Sequence, residues 1–220
     1  LRQVSNDVAH DLRTPLTRLK TRIEPLLLRE DLPDDAQAAL KEADLEIDRI
    51  VKTFNAVLRI AQIEGGNGRS NMADLDLTAL CQTVHDLMLP VAEEMGHSFT
   101  LTCPEQPVTI TGDREMLAQA MVNLVENAFR HCPDPALVTL ALKATETGTI
   151  LTVTDTGPGI PAAERDNILR RYYRLEKSRN TEGSGLGLSL VAAIVRRHNG
   201  QLALGDNGPG LRVDITLPKA

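Results

Sequence analysis

The stretch Val8-Ala9-His10-Asp11-Leu12-Arg13-Thr14-Pro15-Leu16 lies in the first of two long amphipathic segments and decides how the N-terminal part of the chain folds. Apolar residues recur around it at intervals of three and four: Val4, Val8, Leu12, Leu16, Leu19 and Ile23. This spacing predicts one face of a helix from about residue 3 to about residue 29. At about 100° per residue, His10 lies roughly 170° from the centre of the apolar stripe, so we expect its side chain to face solvent.

A helical histidine on a solvent face is most often an ordinary polar surface residue, and its neighbours are what single this one out. Asp11 is adjacent to His10, and Thr14 lies one turn further along, close to the same face. Pro15 removes a helix donor and clashes with the preceding turn, so a bend is expected just after the histidine. His10 is therefore predicted to be accessible, next to a carboxylate and in a deformable part of its helix.

The second long segment predicts another helix and, with the first, a helical bundle. Its apolar residues alternate at spacings of three and four over residues 40–61, after a turn at 30–35 in which Asp34 or Asp35 is the expected N-cap. Each of the two stripes holds more apolar surface than one antiparallel partner covers. We therefore expect a homodimer through residues 4–61 that forms a four-helix bundle. A hairpin packed on the second domain of its own chain is the alternative.

A glycine-rich linker separates this hairpin from a region of mixed helix and strand. Gly65-Gly66-Asn67-Gly68-Arg69-Ser70-Asn71 ends the second helix, which gives predicted domains at 1–64 and 75–218 joined by a hinge at 65–74. Beyond the hinge the patterns predict helices at 80–95, 114–131 and 186–197 and strands at 108–111, 138–142, 150–154, 201–205 and 211–217. Helices on one side of a mixed sheet make a two-layer α/β sandwich, so the expected fold class is α+β.

Composition and charge argue against several classes of function. The 220 residues are 42% hydrophobic and 25% charged, which is ordinary for a globular protein with a sizeable core. The net charge of −6 argues against a general nucleic-acid binder. The three cysteines form no CxxC pair, which favours a reducing compartment over a disulfide framework or a zinc site. No apolar run approaches the ~20 residues of a membrane span, so we expect a cytoplasmic chain without membrane contact.

Three polar side chains share one face of the predicted helix at 114–131. Asn123, Asn127 and Arg130 lie within about 60° of each other at 100° per residue. Asparagine is a mediocre helix former, so two of them one turn apart invite a side-chain explanation. A carboxamide oxygen suits Mg²⁺ and a guanidinium suits a phosphate, which predicts a ligand site; a solvated polar face is the alternative.

Two glycine-rich segments follow, each next to a regular element. Asp155 ends a strand on the same face as two apolar residues, and Thr156-Gly157-Pro158-Gly159-Ile160-Pro161 comes directly after it. Glycines there permit close backbone approach to a flat ligand, and a tight turn is the alternative. Gly183-Ser184-Gly185-Leu186-Gly187-Leu188 opens an apolar helix, where free N–H groups and the helix dipole favour an anion. Its spacing fits neither the Rossmann fingerprint nor the P-loop, so another kind of phosphate site is indicated.

These four segments, in this order, resemble the sequence motifs of sensor histidine kinases of two-component systems. The stretch from Ala9 to Thr17 resembles the H-box of their dimerisation and phosphotransfer domain. The three later segments resemble the N, G1 and G2 boxes of the ATPase module that these kinases share with Hsp90-type chaperones, gyrase-type topoisomerases and mismatch-repair ATPases. Residues 168–174 with Glu176, Ser178 and Arg179 resemble the ATP lid of the kinases.

The chain departs from the family pattern at a few positions, which bear on packing and lid dynamics rather than on the expected fold. Val4, Leu169 and Tyr172 stand where the family often has Phe. His131 stands where the N box often ends in Tyr, and Glu182 where a Gly often opens the G2 box.

The resemblance implies a role in phosphoryl transfer for residues of the H-box and N box. His10 would accept the γ-phosphate of ATP, and Asp11 would act as the general base. Thr14 matches the position that helps to dephosphorylate the partner regulator, which implies a secondary phosphatase reaction. Asn127 would ligate Mg²⁺, and Asn123 and the catalytic Glu126 would support the metal or its waters.

The same resemblance implies the nucleotide contacts. Asp155 would accept a hydrogen bond from the adenine amino group, while Arg130, Arg174 and the backbone of residues 183–187 would hold the phosphates. The residues implied by the G1 and G2 boxes are Gly157, Gly159, Gly183, Ser184, Gly185, Leu186 and Gly187. ATP and Mg²⁺ are thus the expected cofactors.

The implied enzyme is a dimeric protein-histidine kinase that passes its phosphate to an aspartate of a response-regulator receiver domain. Because the first helical stripe is already under way at residue 1, we expect a fragment of a longer protein, one anchored in the inner membrane with this portion in the cytoplasm. An ATPase of the chaperone or topoisomerase type is one alternative, but it gives no reason for the H-box. A phosphotransfer scaffold without kinase activity is the other.

Overall fold

The computed structural model describes most of the chain: residues 2–29, 31–65, 71–175 and 185–219, with side chains from residue 15 onward. Two long helices come first, α1 at Arg2–Leu27 and α2 at Asp34–Glu64, which confirms the predicted hairpin. Helix α1 runs without interruption through Pro15 and Pro25, and the bend expected after His10 stays a prediction.

The start of α2 differs from the prediction. Pro33 is the N-cap residue, with φ −56° and ψ 147°, and Asp34 and Asp35 are the first two residues of the helix itself. The proline ring fixes φ where the chain enters the helix, so the first helical residue follows it directly and neither aspartate takes the cap position. Both carboxylates still favour the helix start through its dipole.

The second domain begins at β1, two residues inside the predicted hinge. Its elements are β1 Ala73–Asp76, α3 Leu77–Glu94, β2 Ser98–Thr102, β3 Thr109–Gly112, α4 Arg114–His131, β4 Leu137–Ala144, β5 Gly148–Asp155, a 3₁₀ turn at Ala162–Glu164, α5 Gly187–Arg197, β6 Gln201–Asp206 and β7 Leu211–Pro218. The prediction lacks β1 and β2. Strand β1 is short and half aspartate, whereas β2, Ser98-Phe99-Thr100-Leu101-Thr102, alternates polar and apolar residues and was open to detection.

The strands form two sheets. A mixed sheet of five strands has the order β2-β4-β5-β7-β6, with β2 parallel to β4 and the other neighbours antiparallel. Strands β1 and β3 form a separate antiparallel pair. Helices α3, α4 and α5 pack on the five-stranded sheet and share one core with it, in which Leu117, Met121, Leu140, Ile194 and Ile215 are fully buried. The predicted α+β fold with a two-layer sandwich is confirmed.

The C-terminal end of α2 packs on the sandwich. Ile60 and Ile63 of α2 are 1% and 3% exposed and belong to the sandwich core, where α2 contacts α5. The Glu64 carboxylate forms salt bridges to Arg171 and Arg196 beside them. Packing of the hairpin on its own second domain is thus observed at this end of α2. No helix among the described residues is both long enough and apolar enough to cross a membrane.

Candidate active site

Helix α4 carries the two predicted asparagines on a partly buried face. Asp113 starts the helix by accepting a hydrogen bond from the backbone N–H of Met116 at 3.0 Å. Asn123 and Asn127 are partly buried, whereas Glu126 is exposed. Among the described residues the buried Nδ2 of Asn123 has no hydrogen-bond partner. Because an unpaired buried amide is costly, this face of α4 suits a polar ligand that would satisfy it.

The start of α5 lies directly against Asn127. A Cβ placed on Gly187, the first residue of α5, would lie 3.3 Å from Nδ2 and 3.5 Å from Oδ1 of Asn127. Leu186, which precedes the helix, is fully buried and holds this end of α5 in the core. The structure thus brings the N box and the end of the G2 box together, with the free N–H groups of the first turn of α5 beside the Asn127 carboxamide.

The lid segment reaches the same region through Arg174. Gly185 has φ +68°, and a Cβ there would lie 3.0 Å from the carbonyl oxygen of Tyr173 and 3.1 Å from Cγ of Arg174. Glycine is required at this position both for its left-handed backbone and for the space it leaves. Six further predicted residues of the lid and G2 box lie outside the described residues: Glu176, Ser178, Arg179, Glu182, Gly183 and Ser184.

Asp155 is the buried carboxylate at the end of β5, as its alternation with apolar residues predicts. Its side chain is 8% exposed, and Oδ1 accepts the backbone N–H groups of Gly157 at 2.9 Å and of Leu211 at 3.1 Å. A carboxylate has about four acceptor positions, so capacity remains for a further donor such as an amino group. The Leu211 contact comes from a strand 56 residues away in sequence, and sequence reasoning did not find it.

Cys132 is a second residue that sequence reasoning missed. It directly follows α4 and is 9% exposed, and burial, with the neighbouring Asp155 carboxylate adding to it, raises the pKa of its thiol to about 12. The thiol therefore stays protonated and donates to Asp155. A Cβ on Gly157 would lie 2.6 Å from Sγ of Cys132. The first glycine of the G1 box is thus required by its packing on Cys132, whatever it also does for a ligand.

Basic groups collect at the C-terminal end of α4. His131 ends the helix, and burial, reinforced by the guanidinium groups of Arg130 and Arg174, lowers its pKa below the ordinary 6.5 despite the opposing effect of Asp155. The imidazole is therefore neutral at pH 7, and the positive charge at this end of α4 comes from the two arginines.

The predicted phosphoacceptor belongs to α1. The backbone of residues 2–14 is helical, and the side chains of His10, Asp11 and Thr14 lie outside the described part of the structure. Lys20 donates to the Asp48 carboxylate at 2.6 Å, a contact that marks the antiparallel register of the hairpin.

Because both helices rise equally per residue, this register places the backbone of residue 10 beside about residue 58 of α2. Ile60 and Ile63, close to that level, pack on α5. Tyr172 of the lid segment lines a groove with Phe54 and Val57 of α2. The second domain therefore meets α2 at the level of the predicted phosphoacceptor.

Two family models match the chain. The His Kinase A (phospho-acceptor) domain matches residues 1–66, and the Histidine kinase-, DNA gyrase B-, and HSP90-like ATPase matches residues 112–220. The two matches define a protein that joins a phospho-acceptor hairpin to an ATPase of the gyrase and chaperone type. The chain belongs to the sensor histidine kinase family, as its motifs predict.

Relatives and solved structures agree with this family. The probable sensor protein PcoS of Escherichia coli is 31% identical over 219 residues, which are 99% of this chain and 46% of that protein. The probable sensor histidine kinase TcrY of Mycobacterium tuberculosis is 31% identical over 221 residues, with the same two coverages. The crystal structure of full-length ShkA in complex with AMPPNP has a TM-score of 0.83 at 25% identity and covers 100% of this chain and 46% of that one. The chain thus spans about half the length of these relatives.

Proposed function

We propose that this chain is the catalytic part of an ATP-dependent protein-histidine kinase that phosphorylates His10. The observation that carries the proposal is the contact of Gly187 with Asn127, beside which Arg174 packs on Gly185. Residues of the N box, lid and G2 box are thus close together in a chain that also matches the phospho-acceptor domain model, which supports the proposal. The whole protein's substrates and partners are proposed on the same basis.

The residues present fit a nucleotide with its magnesium ion. The Asn123 amide, unpaired among the described residues, and the partly buried Asn127 offer a donor and a hard oxygen at one place. Asn127 would hold the metal, with Asn123 and Glu126 supporting it or its waters. Magnesium, when bound, supplies positive charge that neutralises the phosphate oxygens.

The remaining contacts would orient ATP for transfer. Arg130, Arg174 and the backbone of residues 183–187 would hold the phosphates, while Gly157 and Gly159 let the backbone approach the base. Asp155 would accept the adenine amino hydrogen, which selects ATP over GTP because guanine presents a carbonyl oxygen at that position.

His10 would attack the γ-phosphorus with a neutral ring nitrogen. A nitrogen–phosphorus bond forms, the bond between the β–γ bridging oxygen and the γ-phosphorus breaks, and ADP leaves. Asp11 would accept the hydrogen bond of the other ring nitrogen and so stabilise the charge that develops on the ring. The ordinary histidine pKa of about 6.5 leaves much of the nucleophile neutral at pH 7.

The proposed partners follow from the phospho-acceptor domain and from exposed apolar surface. Leu19 and Leu45 of the hairpin are 46% and 53% exposed, and a second copy packed through residues 4–61 would cover such positions. The phosphoryl group would pass to an aspartate of a response-regulator receiver domain, and Thr14 would serve the reverse, phosphatase reaction on that regulator. A membrane-anchored full-length protein with this part in the cytoplasm is part of the same proposal.

The test is to incubate the chain with Mg²⁺ and ATP labelled in its γ-phosphate, and to count both ADP and protein-bound label. A kinase forms acid-labile label in a one-to-one ratio with ADP. The His10→Gln variant should lose this label, and His85→Gln, on α3, should keep it. Release of ADP without bound label would instead support an ATPase of the chaperone type, and the absence of both ADP and bound label would support a scaffold.

A further inference from the structure

The turn between β6 and β7 packs against the residue proposed to read the adenine base. Asn207 donates from Nδ2 to the backbone carbonyl of Asp155 at 2.7 Å. The turn is closed by the backbone N–H of Asn207, which donates to the carbonyl of Gly210 at 3.1 Å. Leu211, the first residue of β7, donates its N–H to Oδ1 of the Asp155 carboxylate. One short turn therefore holds both the main chain and the side chain of Asp155.

The end of the β5–β7 ladder explains why these contacts are needed. The pairing stops at Thr154 and Arg212, so Asp155 lies one residue beyond its last partner on β7. Asp155 still pairs with Val138 of β4, but its carbonyl has no ladder donor from β7, and a buried carbonyl without a donor is costly. The Asn207 amide supplies the donor, and the N–H of Leu211, freed from the ladder, turns to the Asp155 carboxylate.

Gly210 brings the turn close enough to make these contacts. Its φ is +115°, and a Cβ there would overlap the carbonyl oxygen of Asp155. On its other side, a Cβ on Gly159 would lie 2.8 Å from the carbonyl oxygen of Gly210. Bare backbone of the turn thus lies between Asp155 and the second glycine of the G1 box, so that a shift of the turn displaces both.

We propose that the β6–β7 turn, residues 207–210, positions the Asp155 carboxylate that would bind the adenine amino group. Asn207 is the positioning residue that holds Asp155 in place. The inference rests on the proposed function of Asp155 as the adenine contact. Asn207 touches no nucleotide in this scheme; it acts by holding the main chain at the point where β5 ends and the G1 box begins.

The test compares two nucleotides that differ in the amino group that would donate a hydrogen bond to Asp155. Mg²⁺-ATP carries the 6-amino group, and purine riboside triphosphate lacks it. Asn207→Ala removes one hydrogen bond, so we expect its affinity for ATP to fall about three- to tenfold while its affinity for the analogue stays within about twofold. Asn207→Asp keeps the side-chain shape but replaces the donor with an acceptor, and should lower ATP affinity at least as much. The kcat of autophosphorylation at saturating ATP should change less than KM.

Two further variants make the result decisive. Asp206→Ala alters the last residue of β6, directly before the turn and exposed, and should leave the preference for ATP over the analogue intact. Asp155→Ala should abolish that preference. If Asp155→Ala abolishes it but both Asn207 variants retain it, the positioning role is wrong and the proposed function stands.

An equal loss of affinity for both nucleotides in the Asn207 variants would show a merely structural role and also overturn the inference. If Asp155→Ala itself keeps the preference, the adenine assignment fails, and the role of Asn207 fails with it.

Discussion

Replacing Gly187 by alanine should weaken nucleotide binding without weakening the fold. The new Cβ would lie 3.3 Å from Nδ2 of Asn127, closer than an ordinary van der Waals contact of 3.4–4 Å, so the Asn127 carboxamide must move by a few tenths of an ångström. Magnesium demands near-ideal octahedral geometry at about 2.0–2.1 Å, so a displacement of that size matters at a ligand. We expect the Kd of Mg²⁺-ATP to rise about three- to tenfold, or ~0.7–1.4 kcal/mol.

The stability of the fold in Gly187→Ala should rise slightly or stay unchanged. Alanine in a helix is favoured over glycine by up to about 1 kcal/mol, and Gly187 does not have the positive φ that would make alanine strained. Isothermal titration with Mg²⁺-ATP and thermal unfolding followed by circular dichroism measure the two effects separately. Gly205→Ala in β6 is the control for nucleotide binding, because its Cβ would meet no atom closer than 3.8 Å; it should leave the Kd of Mg²⁺-ATP unchanged.

A double-mutant cycle tests whether the loss acts through Asn127. Once Asn127 is truncated to alanine, Gly187→Ala has no carboxamide left to displace and should cost little more affinity. The two effects should therefore be non-additive by at least about 0.5 kcal/mol. Unchanged affinity in Gly187→Ala, or full additivity with Asn127→Ala, would refute the placement of Asn127 at the ligand.

Four further predictions concern the framework around the site. His198, 5% exposed, accepts the Asp113 N–H at 2.9 Å, so His198→Ala should cost about 2–4 kcal/mol of unfolding free energy, and a loss below 1 kcal/mol in chemical denaturation would contradict this. Burial lowers the pKa of His198 below 6.5, so below that pH the unfolded chain binds more protons than the folded chain. The stability of the wild-type protein should therefore fall from pH 7 to pH 5 through this group, by at most about 1.4 kcal/mol per pH unit. His198→Ala should flatten this pH dependence. Ile60→Ala should lower the free energy of unfolding by about 2–4 kcal/mol, since the side chain is 1% exposed where α2 packs on α5. A change in that free energy near zero would place the contact outside the cooperative core. Glu64→Gln should lower the free energy of unfolding by only about 0–1 kcal/mol, because both side chains of the salt bridge to Arg171 are 43% exposed. This loss should shrink at high salt, and a loss that does not depend on salt would contradict a screened surface pair.

Local patterns were enough to predict the elements whose side chains alternate or repeat strongly. Helix α4 matches its predicted bounds of 114–131, and in the structure Asp113 caps its start. Asp155 was placed on the buried face of β5 because strand residues alternate between two faces. The aspartates at 34 and 35 misled the prediction for α2, because an acidic residue suits the first turn of a helix as well as its cap.

Contacts between distant segments were beyond a reading of the sequence. Asn207 and Asp155 are 52 residues apart, and a turn residue gives no local sign that its amide completes another strand. Cys132 carried no CxxC signal, so its packing under Gly157 could not be inferred. The predicted roles of Asn123, Asn127, Arg130, Arg174 and Asp155 stay predictions, as do those of His10, Asp11 and Thr14, whose side chains lie outside the described residues.

Mapping the phosphorylated residue is the most direct test of the central claim. The wild-type chain is incubated with Mg²⁺-ATP, digested at neutral to basic pH and sequenced by tandem mass spectrometry. The account predicts one phosphoryl group on His10, lost on acid treatment, transferred to the aspartate of an added cognate receiver domain, and absent in both His10→Gln and Asn127→Asp. A phosphoryl group on another residue, or full phosphorylation of the His10→Gln variant, would contradict it.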